Sequence, residues 1–167
     1  MIRLTVTEDT EFLEKRDKCL DYLRKHKVDV GLTSSASARS RFLLGIHSHG
    51  SPVMRIPPRP VVQPALAQEG LRTEMGEKLA EACEAAFDGD MEGMEKSLED
   101  AGQRGADGIR EYIDAGIPPP NSPATVNGGW IWNRAAKKAV YVKGKGFNKP
   151  LFDTGNLYNA FGYEIEE

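Results

Sequence analysis

Two short stretches of this chain carry residue types that could do chemistry. "HSHG" sets His47 and His49 one residue apart. On a strand that spacing puts both rings on one face, whereas on a helix it turns them about 200° apart. A zinc site needs three or four ligands, and neither cysteine nor an obvious carboxylate motif is nearby in sequence, so the simpler assignment is local hydrogen bonding or a contact between subunits. The serines Ser34, Ser35, Ser37 and Ser40 lack the GxSxG elbow that would expose a nucleophile. "KGKG" (143–146) lacks the GxxxxGK[ST] layout that cradles nucleotide phosphates.

"DTG" (153–155) is the tripeptide that supplies a catalytic aspartate in aspartic proteases, but there it sits in strand-rich lobes and runs on as "DTGA" or "DTGS". Here "NLYNAF" follows. The local expectation is structural: Asp153 or Thr154 caps the turn "GNLYNAF", and Gly155 takes a conformation that other residues resist. No catalytic residue, cofactor site or metal site is read from these stretches.

The elements that must position these residues follow from periodicity. "IRLTVT" (2–7) alternates like a half-buried strand. A helix follows, capped by Asp9 or Thr10, with Phe12, Leu13, Arg16, Cys19, Leu20 and Leu23 at helical spacing and "RKHK" at its negative end. "VDVGLT" (28–33) alternates again, a second strand. "RFLLGIHSHGSP" reads as a short helix or turn stopped by Gly50 and Pro52, and the prolines of "IPPRPVVQPAL" favour an extended path. Pro64 suits a first helical turn, and Leu66, Leu71, Met75, Leu79, Ala82, Cys83, Ala86 and Phe87 mark a buried stripe.

After the break "FDGDMEG", a long helix lines up Met91, Met94, Leu98, Ala101, Gly105, Gly108, Ile109, Tyr112 and Ile113. Glycines on an apolar stripe cost about 1 kcal/mol each relative to Ala, so their presence predicts close approach by another helix. "AGIPPPNSPATVNGG" ends regular structure. "WIWN" and "AVYVKGKG" then read as two short strands joined through "RAAKK", a projecting basic hairpin, although a helical turn fits the joining residues equally. "FGYEIEE" alternates as a last strand. The expected fold is α+β in a single domain, 1–167: a small antiparallel sheet of the terminal strands and "VDVGLT", packed against two or three long helices.

Length and composition bound the function. The 167 residues suit one core. Both cysteines are expected to be buried hydrophobes, and no run has the roughly 18 to 20 apolar residues of a membrane helix. The N-terminus lacks the apolar stretch of a secretory signal, so synthesis in the cytoplasm is expected. A net charge of −3 argues against a general nucleic-acid binder, yet the charge is segregated. Residues 69–114 carry fourteen Asp or Glu against five Lys or Arg, whereas 130–150 carry six Lys or Arg and no acid, and 36–68 carry four Arg and no acid. That division suits head-to-tail contacts between identical subunits, or merely solvated helices beside basic loops.

Three stretches together resemble one family. "IHSHGSP" with "IPPRPVVQPAL", then "GIPPPNSPATV", then "KGKGFNKPLFDTGNLYNAFGYEIE" are similar, in that order, to the neck and tail-completion (head-tail joining) proteins of tailed bacteriophages, including the phage virion morphogenesis group. The similarity covers residues 45–66 and 117–166. "HSHG" stands where the family has His-Glu-aromatic-Gly, and 127–143 reads as an insertion. The resemblance implies a non-enzymatic structural virion protein at the head-tail junction, part of a homo-oligomeric ring around the DNA conduit, with no cofactor. Its implied partners are further copies of itself, adjacent head-completion or connector proteins, tail-terminator or tail-tube proteins, and DNA passing through the lumen without sequence-specific binding. No membrane is implied. Interface candidates are Arg55, Arg59, Trp130, Trp132, Tyr141, Lys143 and Lys145, with Arg59 pairing with a neighbour's carboxylate or holding a rigid intramolecular connection. The acidic helices of 69–114 would face the lumen or the exterior. Two other readings compete: a small DNA-binding or assembly module using the basic aromatic segment 130–149, and a hydrolase using His47, His49 or Asp153.

Overall fold

The computed structural model describes residues 9–53, 55–133 and 136–167. The expected strand at 2–7 lies outside the described residues. The first described element, α1 (Thr10–Lys25), is capped by Asp9, whose side chain accepts from the Phe12 N–H, and Arg24 and Lys25 complement its C-terminal dipole. Strand β1 (Lys27–Leu32) follows. Helix α2 (Ala38–His49) begins earlier than the sequence pattern indicates, because Ser37 caps it by accepting from the Ser40 N–H. The serine run is therefore partly cap and partly tether: Ser34 donates from its backbone N–H to Glu164 at 2.7 Å.

After a small turn closed by the Ser51–Ile56 bridge, the proline-rich path runs without regular structure to the short α3 (Val62–Leu66), which holds Pro64 in its first turn. Then come α4 (Glu69–Phe87) and α5 (Met91–Asp114), with Asp90 capping the latter. "PPPNSPATV" is not wholly irregular: Ser122 caps a short helix α6 (Pro123–Asn127), with Pro123 at the position where its missing N–H costs nothing. Strands β2 (Gly128–Asn133) and β3 (Lys138–Lys143), the one-turn α7 (Asn156–Asn159) and β4 (Phe161–Glu166) complete the chain.

The fold is α+β, with two small antiparallel sheets of two strands each among the described residues, β1–β4 and β2–β3. The β1–β4 register pairs Val28 with Ile165, Val30 with Tyr163 and Leu32 with Phe161. All six side chains share one face, and that face lies on α5. Helix α4 runs along another side of α5, and α1 leans on α4. Two apolar clusters result. One gathers Val61, Ala65, Ile109, Ile113, Ile117, Leu151, Leu157 and Phe161; the other gathers Cys19, Ala82, Ala86, Met94 and Leu98. Helix α5 contributes to both.

Between its two apolar ends α5 buries Ala101, Gly102, Gly105, Ala106 and Gly108. The approach permitted by these glycines is broader than the expected helix–helix contact. A Cβ on Gly102 would overlap Tyr163 of β4, one on Gly105 would crowd Val30 of β1 and Met75 of α4 at 3.1 Å, and one on Gly108 would overlap Leu71 of α4. Sheet and helix both press on the same small-residue surface.

Helix α4 corrects one expectation. Its fully buried residues are Leu71, Ala82 and Ala86, with Met75 and Ala85 half-buried beside them. Cys83 is exposed, Leu79 is 40% and Phe87 61% exposed. Residues 83 and 87 follow 82 and 86 by about 100° around the helix, which turns them off the α5 face. Cys19, by contrast, is buried.

Glycines on the two helices should respond oppositely to substitution. Gly108→Val should destabilise the fold by about 1–3 kcal/mol through overpacking against Leu71. Gly76→Ala, with nothing within 4 Å of the new Cβ, should stabilise it by about 0.5–1 kcal/mol. Urea midpoints of the two variants against the parent measure both.

Candidate functional site

Strands β2 and β3 form a hairpin whose residues pair Gly128–Lys143, Trp130–Tyr141, Ile131–Val140, Trp132–Ala139 and Asn133–Lys138. Pairing across an antiparallel ribbon puts Trp130, Trp132, Tyr141 and Ala139 on one face and Ile131, Val140 and Val142 on the other. Both faces are apolar, and both are largely open to solvent. Trp130 is 74% exposed, Trp132 65% and Tyr141 57%, while Ile131 and Val142 exceed 40% on the opposite side. Trp130 meets Tyr141 edge-on, ring centroids 5.7 Å apart. That contact accounts for a small part of their surface.

The hairpin's root is well held. Gly128 and Gly144 face each other so closely that a Cβ on either would strike the other's backbone, which explains the first glycine of "NGG" and the first of "KGKG". The Lys145 N–H donates to the Thr125 carbonyl at 3.0 Å and the Gly146 N–H to Val126 at 2.9 Å. Below this, Phe147, Phe152 and Tyr158 pack edge to face. The Lys149 ammonium lies 4.5 Å from the Phe152 ring centre and pairs with Asp114 at 2.5 Å. Lys149 and the Tyr158 hydroxyl together hold the Asp114 carboxyl below its usual range. The hairpin is thus anchored to the C-terminal end of α5 while its own faces remain uncovered.

The seven interface candidates divide. Arg55, Trp130, Trp132, Tyr141 and Lys143 are exposed. Arg59 is not: 6% exposed, it donates from Nε to the Pro119 carbonyl at 2.7 Å and from Nη2 to the Pro120 carbonyl at 3.0 Å. Its guanidinium fork closes the proline loop of 57–60 onto the second proline run, which is the rigid intramolecular connection rather than a pairing with a neighbour. Lys145 also folds back, donating to the Phe152 carbonyl at 2.8 Å. Sequence reasoning left the Arg59 brace open beside an interface contact and missed the Lys145 anchor, because the acceptors are main-chain carbonyls, of which residue type gives no sign.

"DTG" is corrected in one respect. Gly155 is the N-cap of α7 at φ 82°, and no side chain caps that helix. The glycine's left-handed backbone makes the turn; Asp153 and Thr154 stand exposed beside it. "HSHG" occupies the last turn of α2. His49 bonds the Gly45 carbonyl through Nδ1 at 3.0 Å, whereas Nδ1 of His47 is buried without a hydrogen-bond partner. Desolvation, then the nearby Arg59 and Lys145 cations, push the His47 imidazole below its ordinary pKa. Among the described residues no group of three or more His, Cys, Asp and Glu side chains is arranged to hold a metal ion.

Charge follows the same geography. Lys137, Lys138 and Lys143 of the hairpin are exposed and make no ion pair among the described residues. The α4–α5 unit carries the acids; some are spent internally, as where Arg104 bridges Glu74 and Glu111. The arrangement offers a cationic, aromatic, solvent-exposed ribbon.

Two measurements probe this geometry. Arg59→Met should lose about 2 kcal/mol of stability by removing two charged hydrogen bonds, and Arg59→Lys should recover only part because an ammonium cannot fork; thermal or urea unfolding reads both. His47 has a folded pKa below its unfolded value of about 6.5, so its contribution is present above that value and is lost as pH falls through the folded pKa. The stability of the parent should therefore decline more steeply below about pH 6.5 than that of His47→Gln.

Comparison with protein families, curated proteins and solved structures gives no match to this chain.

Proposed function

We propose that this protein is a structural component of a tailed-phage head-tail junction, assembling with copies of itself into a neck ring around the DNA conduit and joining or completing the tail. The observation that carries self-assembly is the hairpin 128–143, apolar on both faces and exposed on both. A two-stranded ribbon is at best marginally stable alone in water, and exposed aromatic clusters on rigid supports serve as binding anchors. The placement at a virion neck rests on the sequence resemblance of 45–66 and 117–166.

The physical design suits such a part. Loops braced by prolines and by the Arg59 fork lose little entropy when they dock. Acidic helical surface left facing the lumen would repel passing DNA and keep it from adhering. Adjacent connector and tail proteins would then meet the ring's upper and lower rims.

Imaging of tailed particles by cryo-electron microscopy tests this reading. A closed ring of this chain at the neck supports it; absence of the chain from mature virions sinks it. Trp130→Ala and Trp132→Ala should preserve the folded core, since both rings lie outside the two apolar clusters, yet reduce self-association and head-tail joining. Sedimentation of the purified chain and the yield of tailed particles measure these outcomes. Strong, salt-dependent DNA binding by an isolated monomer, lost in the same variants, would instead favour the nucleic-acid module.

A further inference from the structure

We infer that the hairpin of one copy docks on the outward face of α4 in the next copy, so that the contact is head-to-tail and propagates. This rests on the reading of the hairpin as a self-association surface and names its acceptor. Three observations converge on α4.

The first is an unpartnered apolar stripe. Leu79, Cys83 and Phe87 recur every four residues on the exposed side, with exposed Gly76 and Ala80 beside them. Small residues there leave shallow hollows between the larger side chains. The second is spacing. Four helical residues advance about 6 Å along the axis, and two strand residues advance about 6.6 Å. Trp130 and Trp132, alternate residues on one face of β2, are therefore spaced to seat between Leu79, Cys83 and Phe87.

The third is charge. Glu77, Glu84 and Asp88 are exposed on α4 and make no ion pair among the described residues, just as Lys137, Lys138 and Lys143 make none on the hairpin. Docking would pair the two sets and cover both apolar surfaces at once. An acidic partner would be repelled from α4 and a basic one from the hairpin, so a second copy supplies the complement of each surface within one sequence. Donor and acceptor are different surfaces of the chain, so each docked copy keeps one of each free and the contact leads to a ring or a filament, whereas a reciprocal two-fold pair would stop at the disulfide-linked dimer.

Cys83 lies within the acceptor and is exposed, whereas Cys19 is buried, so the native chain carries its own probe. With full-length Trp132→Cys, mild oxidation should give a ladder of disulfide-linked oligomers, absent from the double variant carrying Cys83→Ser as well. Because losing Trp132 could itself weaken docking, charge exchange provides the second measurement. Glu77→Lys with Glu84→Lys in one preparation, and Lys138→Glu with Lys143→Glu in another, should each weaken self-association by about tenfold or more. Mixing the two should restore pairing between unlike copies.

The arms separate the possible failures. If hairpin variants abolish self-association but neither the disulfide ladder nor the charge rescue appears, the hairpin interface stands and α4 is not its acceptor. If Cys83 reacts with a thiol reagent equally in assembled and dissociated protein, the acceptor is likewise overturned. Protection of Cys83 in the dissociated chain that is lost on deleting residues 1–8 would assign the stripe to that segment instead. If hairpin variants leave self-association unchanged, the underlying reading of the hairpin fails.

Discussion

The structure depends on how closely other elements can approach the middle of α5. Ala101, Gly102, Gly105, Ala106 and Gly108 present almost no side-chain volume there, so Tyr163 and Val30 of the sheet and Leu71 and Met75 of α4 sit where ordinary side chains would otherwise stand. The three glycines in a helix interior are expensive in helix propensity, whereas the two alanines cost nothing. The offsetting gain is that one helix can be the shared floor for a sheet and a second helix, and can carry a separate apolar cluster at either end. Remove the close approach and the β1–β4 ribbon, too small to be stable by itself, loses its support.

A second level of order comes from polar groups that tie loops to this frame. Arg59 spans two proline runs through main-chain carbonyls. Arg110 reaches the Phe161 carbonyl and pairs with Asp107. Lys149 and Tyr158 meet on Asp114 at the end of α5. Each uses a cation or hydroxyl to satisfy groups that a loop-rich C-terminal half would otherwise leave exposed to competing water. The hairpin, apolar and exposed on both faces, therefore stands on a braced root rather than on a loose tether. Such bracing limits the entropy lost when an interface forms, and it separates the parts that hold the monomer together from the parts available to hold copies together.

Charge segregation along the sequence becomes spatial segregation in the fold because α4 and α5 are neighbours both in sequence and in space. The acids of 69–114 are gathered on one helical pair, while the cations of 130–150 fall on the hairpin and its root. Two of those cations, Lys145 and Lys149, are consumed internally; Lys137, Lys138 and Lys143 remain outward. The same chain thus displays two surfaces of opposite charge, one on the helical pair and one on the ribbon.

Much of this was legible from residue types alone. Period-2 runs marked β1, β4 and the hairpin; Asp9 and the glycine-rich apolar stripe marked α1 and α5; the turn at Gly155 followed from a backbone need that glycine meets. These are local or periodic properties, written into successive residues. The tertiary structure decided what depends on distant partners. Periodicity gave α4 a wide apolar face, but only the width of the contact with α5 determined that Leu71, Ala82 and Ala86 turn inward and Cys83 and Phe87 outward. Arg59 was readable as either an interface or a brace until the Pro119 and Pro120 carbonyls came within reach. A single sequence records which residues can bury surface or form bonds; the close packing of elements far apart along the chain decides which of them do.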